Sequence, residues 1–334
     1  DHILFYANGP NLVTQNGAQL THTMNTYCDS SYYFIHIDGS DAPKRLGSQG
    51  QAPGVATHVV TSFSDYKYHE YERFNFWESG KEFYGDTYNS VNSDFSYTFL
   101  FPNAIDTAIV QTKLASRSVV SNDFTITVGS ESDVITLGSI AGSSYEYAKL
   151  GSSTINLPNP SATITVLVNY DLAGTITAEG YMDEININAR RNLIMNGTSM
   201  AFQDLESVGS ANIAEYQLTS ASSVTDIWEI TDISNATSIN YTDGGATKTF
   251  QMAADSLRKF VAITSTAGIR PIAVGTVANQ NLHGLAYADL LLVTPSILLT
   301  QANELADFHR NEGTSTHVVL TDHIYNEFSS GMRD

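Results

Sequence analysis

The clearest candidate for nucleophilic chemistry is the one cysteine of the chain. Cys28 lies six residues after His22 and eight before His36, and an imidazole next to a thiol can generate a thiolate nucleophile. A nucleophilic cysteine usually lies at a helix N-terminus or strand-end loop that lowers its pKa, whereas Cys28 lies in a polar, strand-like stretch. We therefore predict that Cys28 is a small buried side chain. A stand-alone enzyme that uses Cys28 would need an exposed thiol close to His22 or His36.

The dipeptide His69–Glu70 matches the start of a zinc peptidase motif. That motif places two histidines one helical turn apart, with the Glu as general base. Its second histidine would stand at position 73, where this chain has Arg73. The sequence therefore predicts no zinc site there.

Two acidic pairs offer oxygen ligands of the kind that Ca²⁺ prefers. They are Asp38 with Asp41, and Asp183 with Glu184. Neither pair continues into the EF-hand loop with its terminal Glu. We predict no metal and no cofactor, with calcium at these pairs as the alternative.

Several aromatic side chains could form a platform on which sugar rings stack. In a chain with 10% Phe, Trp and Tyr, most aromatic residues belong to the core or to packing between domains. We therefore predict packing roles, and a carbohydrate site is the alternative. The residues concerned are Tyr32, Tyr33, Trp77, Tyr84, Tyr145 and Tyr147.

Charge and composition exclude several classes of function. The chain has 16 Lys and Arg against 35 Asp and Glu, a net charge of −19, and such a field repels a phosphate backbone. We therefore expect no nucleic-acid partner. No phosphate-binding glycine loop occurs, which leaves nucleotide binding without support. One cysteine cannot form an internal disulfide, and no apolar run is long enough for a transmembrane helix.

Most of the chain has the pattern of short strands separated by turns. Residues 1–60 alternate apolar runs with Gly, Pro and Asn, and residues 95–188 repeat strands and turns at a spacing typical of sandwiches and barrels. Between 64 and 86, dense aromatic and charged residues indicate a helical or irregular insert. The pattern predicts a mainly β fold, jelly-roll or sandwich-like in its N-terminal region.

The pattern changes near residue 285. Tyr287–Val293 is a continuous apolar run of the kind that is buried on both faces of a sheet, and 297–311 has apolar residues at helical spacing before Gly313. Thr316–Thr321 is a second strand of the same kind. Together they predict one βαβ unit, connected right-handed into a parallel sheet. Two parallel strands cannot form a sheet covered on both faces, so we expect the chain to end inside its last domain.

These patterns predict three regions. Residues 1–190 form a β-sandwich-like domain with the insert at 64–86. Residues 191–284 form a further β-rich region, packed on the first or continuous with it. Residues 285–334 begin an α/β domain. A chain of 334 residues is more than twice a typical domain of about 150, which agrees with several domains.

An ordered set of segments resembles a known family. It is similar to the gingipain-type cysteine peptidases, and within them to the C-terminal signal peptidases, or sortases, of the bacterial type IX secretion system. The likeness spans nearly the whole chain and is strongest in the last segment. The segments are Ile3–Pro10, His22–Tyr27 leading into Tyr32–Phe34, Glu78–Asp86, Asn188–Leu193, Trp228–Asp232, Asn279–Gly284, Ala288–Pro295 and Ile324–Gly331.

The resemblance implies a cell-surface protein associated with the outer membrane, of Bacteroidetes type. Such peptidases remove the C-terminal targeting domain from secreted cargo. They also attach the cargo to an anionic lipopolysaccharide in a transpeptidase-like step. The resemblance implies as partners the secreted cargo, the outer-membrane barrel PorV and the attachment-complex proteins PorQ and PorZ.

The resemblance also bears on where catalysis takes place. In gingipain-type enzymes the catalytic His and Cys lie well downstream of the first βαβ unit. We therefore expect no catalytic residue in this chain, and no activity from the chain alone. Cys28 stands where relatives usually have a small hydroxylic residue, which agrees with a packing role, and Asp86 stands where Glu is usual, a mild departure.

Two classes of function follow from the sequence. The first is the N-terminal, non-catalytic portion of a cysteine endopeptidase, which ends in the first βαβ unit of a caspase- or gingipain-like domain. The alternative is a free-standing surface adhesin or carbohydrate-binding β-sandwich module. A solvent-exposed row of Tyr or Trp on one sheet face would favour the alternative.

Overall fold

The computed structural model describes residues 3–36, 42, 44–78, 80, 82–140 and 146–333. The chain divides into two compact units, which we describe separately. The α/β unit contains Asp1–Val13, His22–Lys44 and Ile269–Asp334, and the β unit contains Thr14–Thr21 and Arg45–Gly268.

The described residues form mostly strands. The first eleven are β1 (Leu12–Asn16), β2 (Gln19–Thr23), β3 (Gly47–Gln49), β4 (His58–Val60), β5 (Ser62–Glu70), β6 (Thr87–Tyr88), β7 (Asp94–Leu100), β8 (Ala104–Arg117), β9 (Asn122–Val128), β10 (Glu131–Leu137) and β11 (Lys149–Pro158). The others are β12 (Thr163–Asp171), β13 (Glu179–Asn192), β14 (Ser199–Gln203), β15 (Ile213–Leu218), β16 (Val224–Glu229), β17 (Thr237–Ile239), β18 (Thr242–Asp243), β19 (Lys248–Ala253), β20 (Lys259–Thr264), β21 (Leu290–Thr294) and β22 (Thr316–Leu320). The helices are α1 (Leu299–Asn311) and α2 (Thr321–Phe328), and 3₁₀ turns lie at Ile233–Asn235 and Ser296–Leu298.

The first half of the β unit is a jelly roll. One sheet has the order β11-β8-β13-β5, with β6 paired to β13, and the other has the order β10-β9-β12-β7. If β5 is counted as strand 1 and β7 to β13 as strands 2 to 8, the two sheets read 6-3-8-1 and 5-4-7-2. Eight strands that alternate between two sheets in this way form a jelly roll. The predicted mainly β, jelly-roll or sandwich-like fold is therefore confirmed.

Alternation along the strands builds the jelly-roll core. In β9 every second residue is buried, and in β12 the residues on either side of Leu167 are buried while Leu167 itself is exposed. This period of two is what a sheet with one covered face requires. The inward rings of the two sheets pack against each other, as Tyr88, Phe124 and Tyr170 show with centroid separations of 4.5–6.4 Å.

The second half of the β unit is another sandwich. Its sheets have the orders β14-β20-β16-β17-β3 and β18-β19-β15-β4, and they enclose a separate core that includes Phe202, Tyr216, Phe250 and Phe260. The edge strands β3 and β4 pair in parallel with β17 and β15. Residues 47–60 therefore belong to the second sandwich, although they precede the jelly roll in sequence.

The structure corrects two boundaries of the predicted regions. Strands β3 and β4 lie within the predicted first domain, 1–190, yet they complete the second sandwich. Residues from Ile269 onward group with the α/β unit and not with the β-rich region predicted over 191–284. Both differences have the same cause, because pairing between distant segments leaves no local pattern in the sequence.

The helical or irregular insert predicted over 64–86 is wrong for its first part. Strand β5 runs through Glu70 and pairs with β13 from Ser62↔Asn192 to Glu70↔Glu184. Apart from Phe63, every residue of β5 is partly buried, on both faces of the strand. The sequence therefore lacks the alternation of apolar and polar residues that marks a strand with one buried face. The described residues between 71 and 86, which are 71–78, 80 and 82–86, have an irregular backbone with an isolated bridge between Phe74 and Tyr84.

The α/β unit contains the predicted βαβ crossover. Strands β21 and β22 pair in parallel, from Leu290↔Thr316 to Thr294↔Leu320, and α1 connects them. Helix α1 ends at Asn311, and Gly313 follows with φ of 86° and an N–H bond of 3.0 Å to the Arg310 carbonyl. The βαβ prediction and its helix stop are confirmed.

Strand β21 is less buried than the sequence predicts. The side chains of Leu291 and Val293 are 55% and 50% exposed, and Thr294 is its buried residue. The apolar run predicts burial on both faces, but the described sheet has two strands and one crossover helix beside them. Among the described residues, no helix has the length and apolar character needed to cross a bilayer.

Candidate functional site

The carboxyl ends of β21 and β22 form the edge at which open α/β folds place ligands and catalytic groups. In register at this edge are Thr294 and Leu320. The Thr294 hydroxyl is buried and donates to the Pro295 carbonyl at 3.2 Å. Neither strand end carries a thiol or an imidazole.

The opposite edge is held by short polar contacts. The Asp289 carboxylate accepts the Ser315 hydroxyl at 2.6 Å and the Ser315 N–H at 3.2 Å, and these bonds lower the pKa of Asp289. The Arg310 guanidinium donates to the Thr316 carbonyl at 2.7 and 3.0 Å. These contacts fix the start of β22 against β21 and α1.

A single carboxylate on α2 ties down the segment that leads toward β21. Glu327 accepts the backbone N–H groups of Leu282 at 2.8 Å and His283 at 2.9 Å, and also the Gln280 amide at 3.0 Å. His283 Nδ1 lies 2.5 Å from the same carboxylate. The four contacts lower the pKa of Glu327 to about 2, with the Leu282 N–H as the largest cause. We call this arrangement the Glu327 clamp.

Two further contacts close the Glu327 clamp. The Gln280 amide also donates to the His323 carbonyl at 2.6 Å, and the His283 ring lies 4.7 Å from the Phe328 ring, centroid to centroid. The Glu327 side chain is 13% exposed. A mostly buried carboxylate with this many donors holds the segment 280–283 in one position relative to α2.

The end of α2 also packs on the N-terminal segments of the α/β unit. Gly331 has φ of 86°, and a Cβ atom there would lie 3.5 Å from the Phe34 ring and from Tyr32. The Tyr33 hydroxyl donates to the Asn8 carbonyl at 2.8 Å, and its ring lies 5.4 Å from that of Phe5. Chain segments from both ends of the sequence therefore meet around α2.

In the β unit, Arg190 joins the jelly roll to the second sandwich. It extends from β13 and donates to Asp204 Oδ1 at 2.6 Å and to Ser62 Oγ at 2.6 Å. Asp204 is buried and also accepts the Ser207 N–H at 3.0 Å. Loss of one partner from a buried ion pair costs about 3–5 kcal/mol, so Arg190 contributes strongly to this junction.

The next residue, Arg191, points into the jelly roll. It donates to Asp65 Oδ2 and to the Pro102 carbonyl, both at 2.7 Å, and its guanidinium lies 5.0 Å from the centroid of the Phe63 ring. Consecutive residues of a strand point to opposite faces. The Arg190–Arg191 pair therefore bonds on both sides of β13.

An acidic cavity of about 200 Å³ lies beside β13 and β8. The predicted calcium pair Asp183 and Glu184 lines it, and Lys113 forms a 2.5 Å ion pair with Glu184. The calcium alternative stays a prediction here. The lining residues are Glu70, Glu72, Glu82, Phe83, Lys113, Asp183 and Glu184.

The crowding of carboxylates favours their protonated forms. Burial, and then the charge of Glu184, raise the pKa of Asp183 to about 6. Burial, followed by the hydrogen bond that the protonated Glu72 carboxyl donates to Glu70, raises the pKa of Glu72 to about 7. The cavity therefore takes up protons near neutral pH, as buried groups of like charge do.

Cys28 is only half-buried, whereas the sequence predicts a buried side chain. Its thiol donates to the Ser30 carbonyl at 2.9 Å, and its backbone N–H donates to Asn25 Oδ1 at 3.1 Å. The thiol therefore bonds to a backbone carbonyl two residues away, within the same turn. We assign no catalytic role to Cys28, His22 or His36.

His69 and Asp86 form a polar pair within the jelly roll. His69 Nε2 lies 3.3 Å from Asp86 Oδ2, and the Tyr97 hydroxyl donates to the same oxygen at 3.1 Å. Burial lowers the pKa of His69, against the opposing effect of Asp86. Arg73 lies 3.4 Å from the other Asp86 oxygen, so the residue that breaks the zinc motif serves as a counter-ion.

The candidate aromatic platform is divided by the fold. Tyr84 is buried, and Trp77 is 55% exposed with its ring against Tyr147. Tyr32 and Tyr33 belong to the α/β unit. Asp38, Asp41 and Tyr145 lie outside the described residues.

Comparison with known proteins gives two direct findings. Residues 284–334 match the family model of Peptidase family C25. Over 99% of its length the chain matches the crystal structure of dimeric latent PorU from Porphyromonas gingivalis, with a TM-score of 0.81 and 21% identity. The chain has the fold of PorU. The resemblance predicted from the sequence is thereby confirmed.

The chain spans 32% of the length of that PorU chain. Smaller parts of it match carbohydrate-binding modules. These are the CBM36-1 domain of a xylanase from the hindgut metagenome of Trinervitermes trinervoides, at 16% identity and TM-score 0.26, and the CBM6 of LamC from Zobellia galactanivorans, at 14% and 0.20. The first match covers 37% of this chain and 96% of the module, and the second covers 37% and 98%. Comparison with curated proteins found no match.

Three of the segments that carry the PorU resemblance lie at junctions between elements. Asn279–Gly284 and Ile324–Gly331 meet in the Glu327 clamp, and Asn188–Leu193 contains the Arg190–Arg191 pair. The sequence alone identified these segments, but it predicted no role for Glu327, Arg190 or Arg191. The only local signal was a charged residue inside an otherwise apolar or strand-like segment.

Proposed function

We propose that this chain is the N-terminal, non-catalytic portion of a cell-surface cysteine endopeptidase that resembles PorU. The observation that carries the proposal is the match of residues 284–334 to Peptidase family C25 at the end of a chain with the PorU fold. The parent enzyme would cleave C-terminal targeting domains from type IX secretion cargo and help to attach the cargo at the outer membrane. Its partners would be the cargo, a PorV-like barrel, PorQ and PorZ.

The role of these residues would be to position the peptidase domain. Two features support that role. The Glu327 clamp fixes the segment 280–283 before the first peptidase strand, β21. The Arg190–Arg191 pair makes the two sandwiches of the β unit into one support.

The chemistry of the parent enzyme would be that of a cysteine peptidase. A thiolate attacks the scissile carbonyl while a histidine acts as general base, and water or an amine resolves the acyl-enzyme. Cys28 would take no part in these steps, because its thiol bonds to the Ser30 carbonyl. This chain would position the peptidase domain and would supply no reacting group.

Three purified proteins test this proposal. They are the natural polypeptide that contains this chain, the same polypeptide with Cys28→Ser, and the 334-residue chain alone. Each is incubated with a cargo protein that carries a C-terminal targeting domain, and cleavage is followed by intact mass. We expect the first two to cleave the cargo at equal rates and the third to leave it intact.

Each other outcome points elsewhere. If a folded Cys28→Ser polypeptide is inactive, Cys28 is the nucleophile and the proposal is wrong. If the natural polypeptide leaves the cargo intact and does not react with a thiol-directed peptidase inhibitor, the adhesin or carbohydrate-binding alternative takes its place. Circular dichroism of all three proteins separates loss of chemistry from loss of fold.

A further inference from the structure

A second, larger cavity opens on the outer face of the jelly-roll sheet β10-β9-β12-β7. It is a depression largely open to solvent, with a volume of about 660 Å³, which falls within the range of about 300–1,000 Å³ that is typical of small-molecule sites. We call it the outer-face cleft. It is lined by Ser90, Ser93, Asp123, Thr125, Val134, Asn169, Tyr170, Asp171, Leu172, Gly174, Thr175 and Ile176.

Polar side chains of two neighbouring strands form the floor of the cleft. Asp123 of β9 lies opposite Asp171 of β12, and Thr125 lies opposite Asn169. The intervening residue Phe124 is buried in the core, so alternation directs these four side chains outward. The strands thus set four hydrogen-bonding groups in two adjacent rows.

Some of these groups are already engaged. The Asp171 carboxylate accepts the Ala173 N–H at 2.9 Å, and the Asn169 amide donates to Asp94 at 2.7 Å. Among the described residues, no hydrogen bond engages the Asp123 carboxylate or the Thr125 hydroxyl. These two groups are therefore available to a ligand.

The Asp123–Asp171 pair is costly for the fold. Like charges directly opposite each other on paired strands are destabilising, and here no lysine or arginine is among the residues that line the cleft. The floor therefore presents two carboxylates side by side as hydrogen-bond acceptors.

Exposed apolar side chains form part of the walls of the cleft. Val134 on β10 is 55% exposed and Ile176 is 79% exposed. The loop that carries Ile176 is held by N–H bonds of 2.9 Å from Thr175 to Leu172 and from Ala178 to Thr175. The wall is therefore formed before any ligand arrives, which lowers the entropy cost of binding.

From this combination we propose that the outer-face cleft binds a short, uncharged saccharide. A sugar ring presents hydroxyl groups at its edge and C–H groups on its faces, which match the polar floor and the apolar side chains of the walls. Hydroxyl donors to the Asp123 carboxylate form charge-assisted bonds, the stronger class of hydrogen bond. The site requires no peptidase activity, so it does not depend on the proposed function.

The charge of the cleft and the hydrogen bonds that its carboxylates already make favour an uncharged saccharide over an anionic ligand or a calcium ion. Anionic saccharides and phosphates would meet Asp123 and Asp171 of the floor, with Asp94 bonded to Asn169 beside it, and a net charge of −19. Ca²⁺ takes about six to eight oxygen ligands, but Asp171 is bonded to the Ala173 N–H and Asp94 to Ser93 and Asn169. The cleft therefore offers a metal ion one disengaged carboxylate beside apolar side chains.

Calorimetric titration of the 334-residue chain tests the proposal. The uncharged probes are maltotriose, cellotriose, mannotriose and chitotriose, the anionic probe is trigalacturonate, and calcium chloride is titrated alone. We expect at least one uncharged trisaccharide to bind with a Kd between about 10 μM and 1 mM. We expect trigalacturonate and calcium chloride to give no binding heat.

Variants locate the site. Thr125→Val and Asp123→Asn should each weaken binding about fivefold to tenfold, because each removes or weakens a hydrogen bond to the ligand. Thr127→Val is the matched control, since Thr127 lies on the same strand and face but outside the cleft. It should change the Kd by less than about twofold.

Stability measurements separate binding from folding. Asp123→Asn should keep or raise the thermal midpoint while it weakens binding, because it relieves the repulsion from Asp171. The proposal is overturned if no uncharged probe binds at about 10 mM, or if Thr125→Val and Asp123→Asn bind as the wild type does. Binding of calcium alone that is lost in Asp123→Asn would show a cation site instead.

Discussion

At the scale of single residues, buried carboxyl groups set the pH response of the acidic cavity. Asp183 has an ordinary pKa of 3.8, which burial and Glu184 raise to about 6. The folded state therefore holds the proton more tightly than the unfolded state. The stability that this proton provides is fully present below pH 3.8 and is lost as the pH rises to about 6.

Asp183→Asn tests this linkage, because an amide cannot ionise. The full rise from 3.8 to about 6 would correspond to about 3 kcal/mol, and solvent screening of a partly exposed carboxyl reduces it to about 1 kcal/mol. We expect the variant to melt about 2–4 °C higher than the wild type at pH 7 and at the same temperature at pH 3.5. Thermal melts from pH 3.5 to 8 measure the difference.

Asp106→Asn is the control for this series. Asp106 lies on β8, the strand that carries Lys113, and its φ of 61° suits asparagine. It should follow the wild-type pH curve. A gap between Asp183→Asn and wild type that stays constant from pH 3.5 to 8 would contradict the assignment of a raised pKa.

At the scale of elements, the Glu327 clamp connects α2 to a segment without regular structure. Residues 280–283 have no strand partner, and the backbone N–H groups of Leu282 and His283 depend on the carboxylate. Such a segment opens locally when its few bonds are lost. The placement of residues 280–283 relative to α2 then depends largely on the Glu327 side chain.

Glu327→Gln should release this segment while leaving the rest of the α/β unit folded. The amide turns one acceptor into a donor that faces N–H groups, so at least one of Leu282 and His283 loses its partner. We expect amide hydrogen exchange at residues 280–283 to rise about tenfold or more, measured by mass spectrometry at pH 7. Because the Glu327 pKa is lowered from 4.5 to about 2, the wild type should approach the variant only as the pH falls through that range.

Glu304→Gln provides the matched helical control. Glu304 is exposed on α1, and its exchange pattern should equal that of the wild type. Equal protection of residues 280–283 in Glu327→Gln and wild type would show that the clamp does not hold the segment.

At the scale of the whole molecule, local sequence patterns predicted the elements and the fold class, but they did not predict which distant strands pair. Alternation and turn residues were enough for the jelly roll, and the switch to helical spacing near residue 285 was enough for the βαβ unit. The pairing of β3 with β17 and of β4 with β15 joins segments far apart in sequence, and no local period records it. The strand β5 was missed because both of its faces are partly buried.

The candidate site shows the same limit. The Glu327 clamp and the outer-face cleft both arise from side chains that the fold brings together, Glu327 with backbone N–H groups and Asp123 with Asp171. Backbone donors have no signature in a sequence, and two aspartates on different strands have no fixed spacing. Within the part of the chain that the structure describes, Cys28, the most conspicuous residue of the sequence, bonds only to nearby residues, Asn25 and Ser30.

The net charge of −19 acts on the whole chain and makes its stability depend on salt. Self-repulsion destabilises a compact state of high net charge, and salt screens it over a Debye length of about 8 Å at 0.15 M. At pH 7 we expect sodium chloride between about 0.02 and 0.5 M to raise the thermal midpoint by several degrees. Near the pI of about 4.6, where the net charge vanishes, the same salt series should change the midpoint little. Equal salt effects at the two pH values would instead indicate salting-out of apolar surface, which does not depend on net charge.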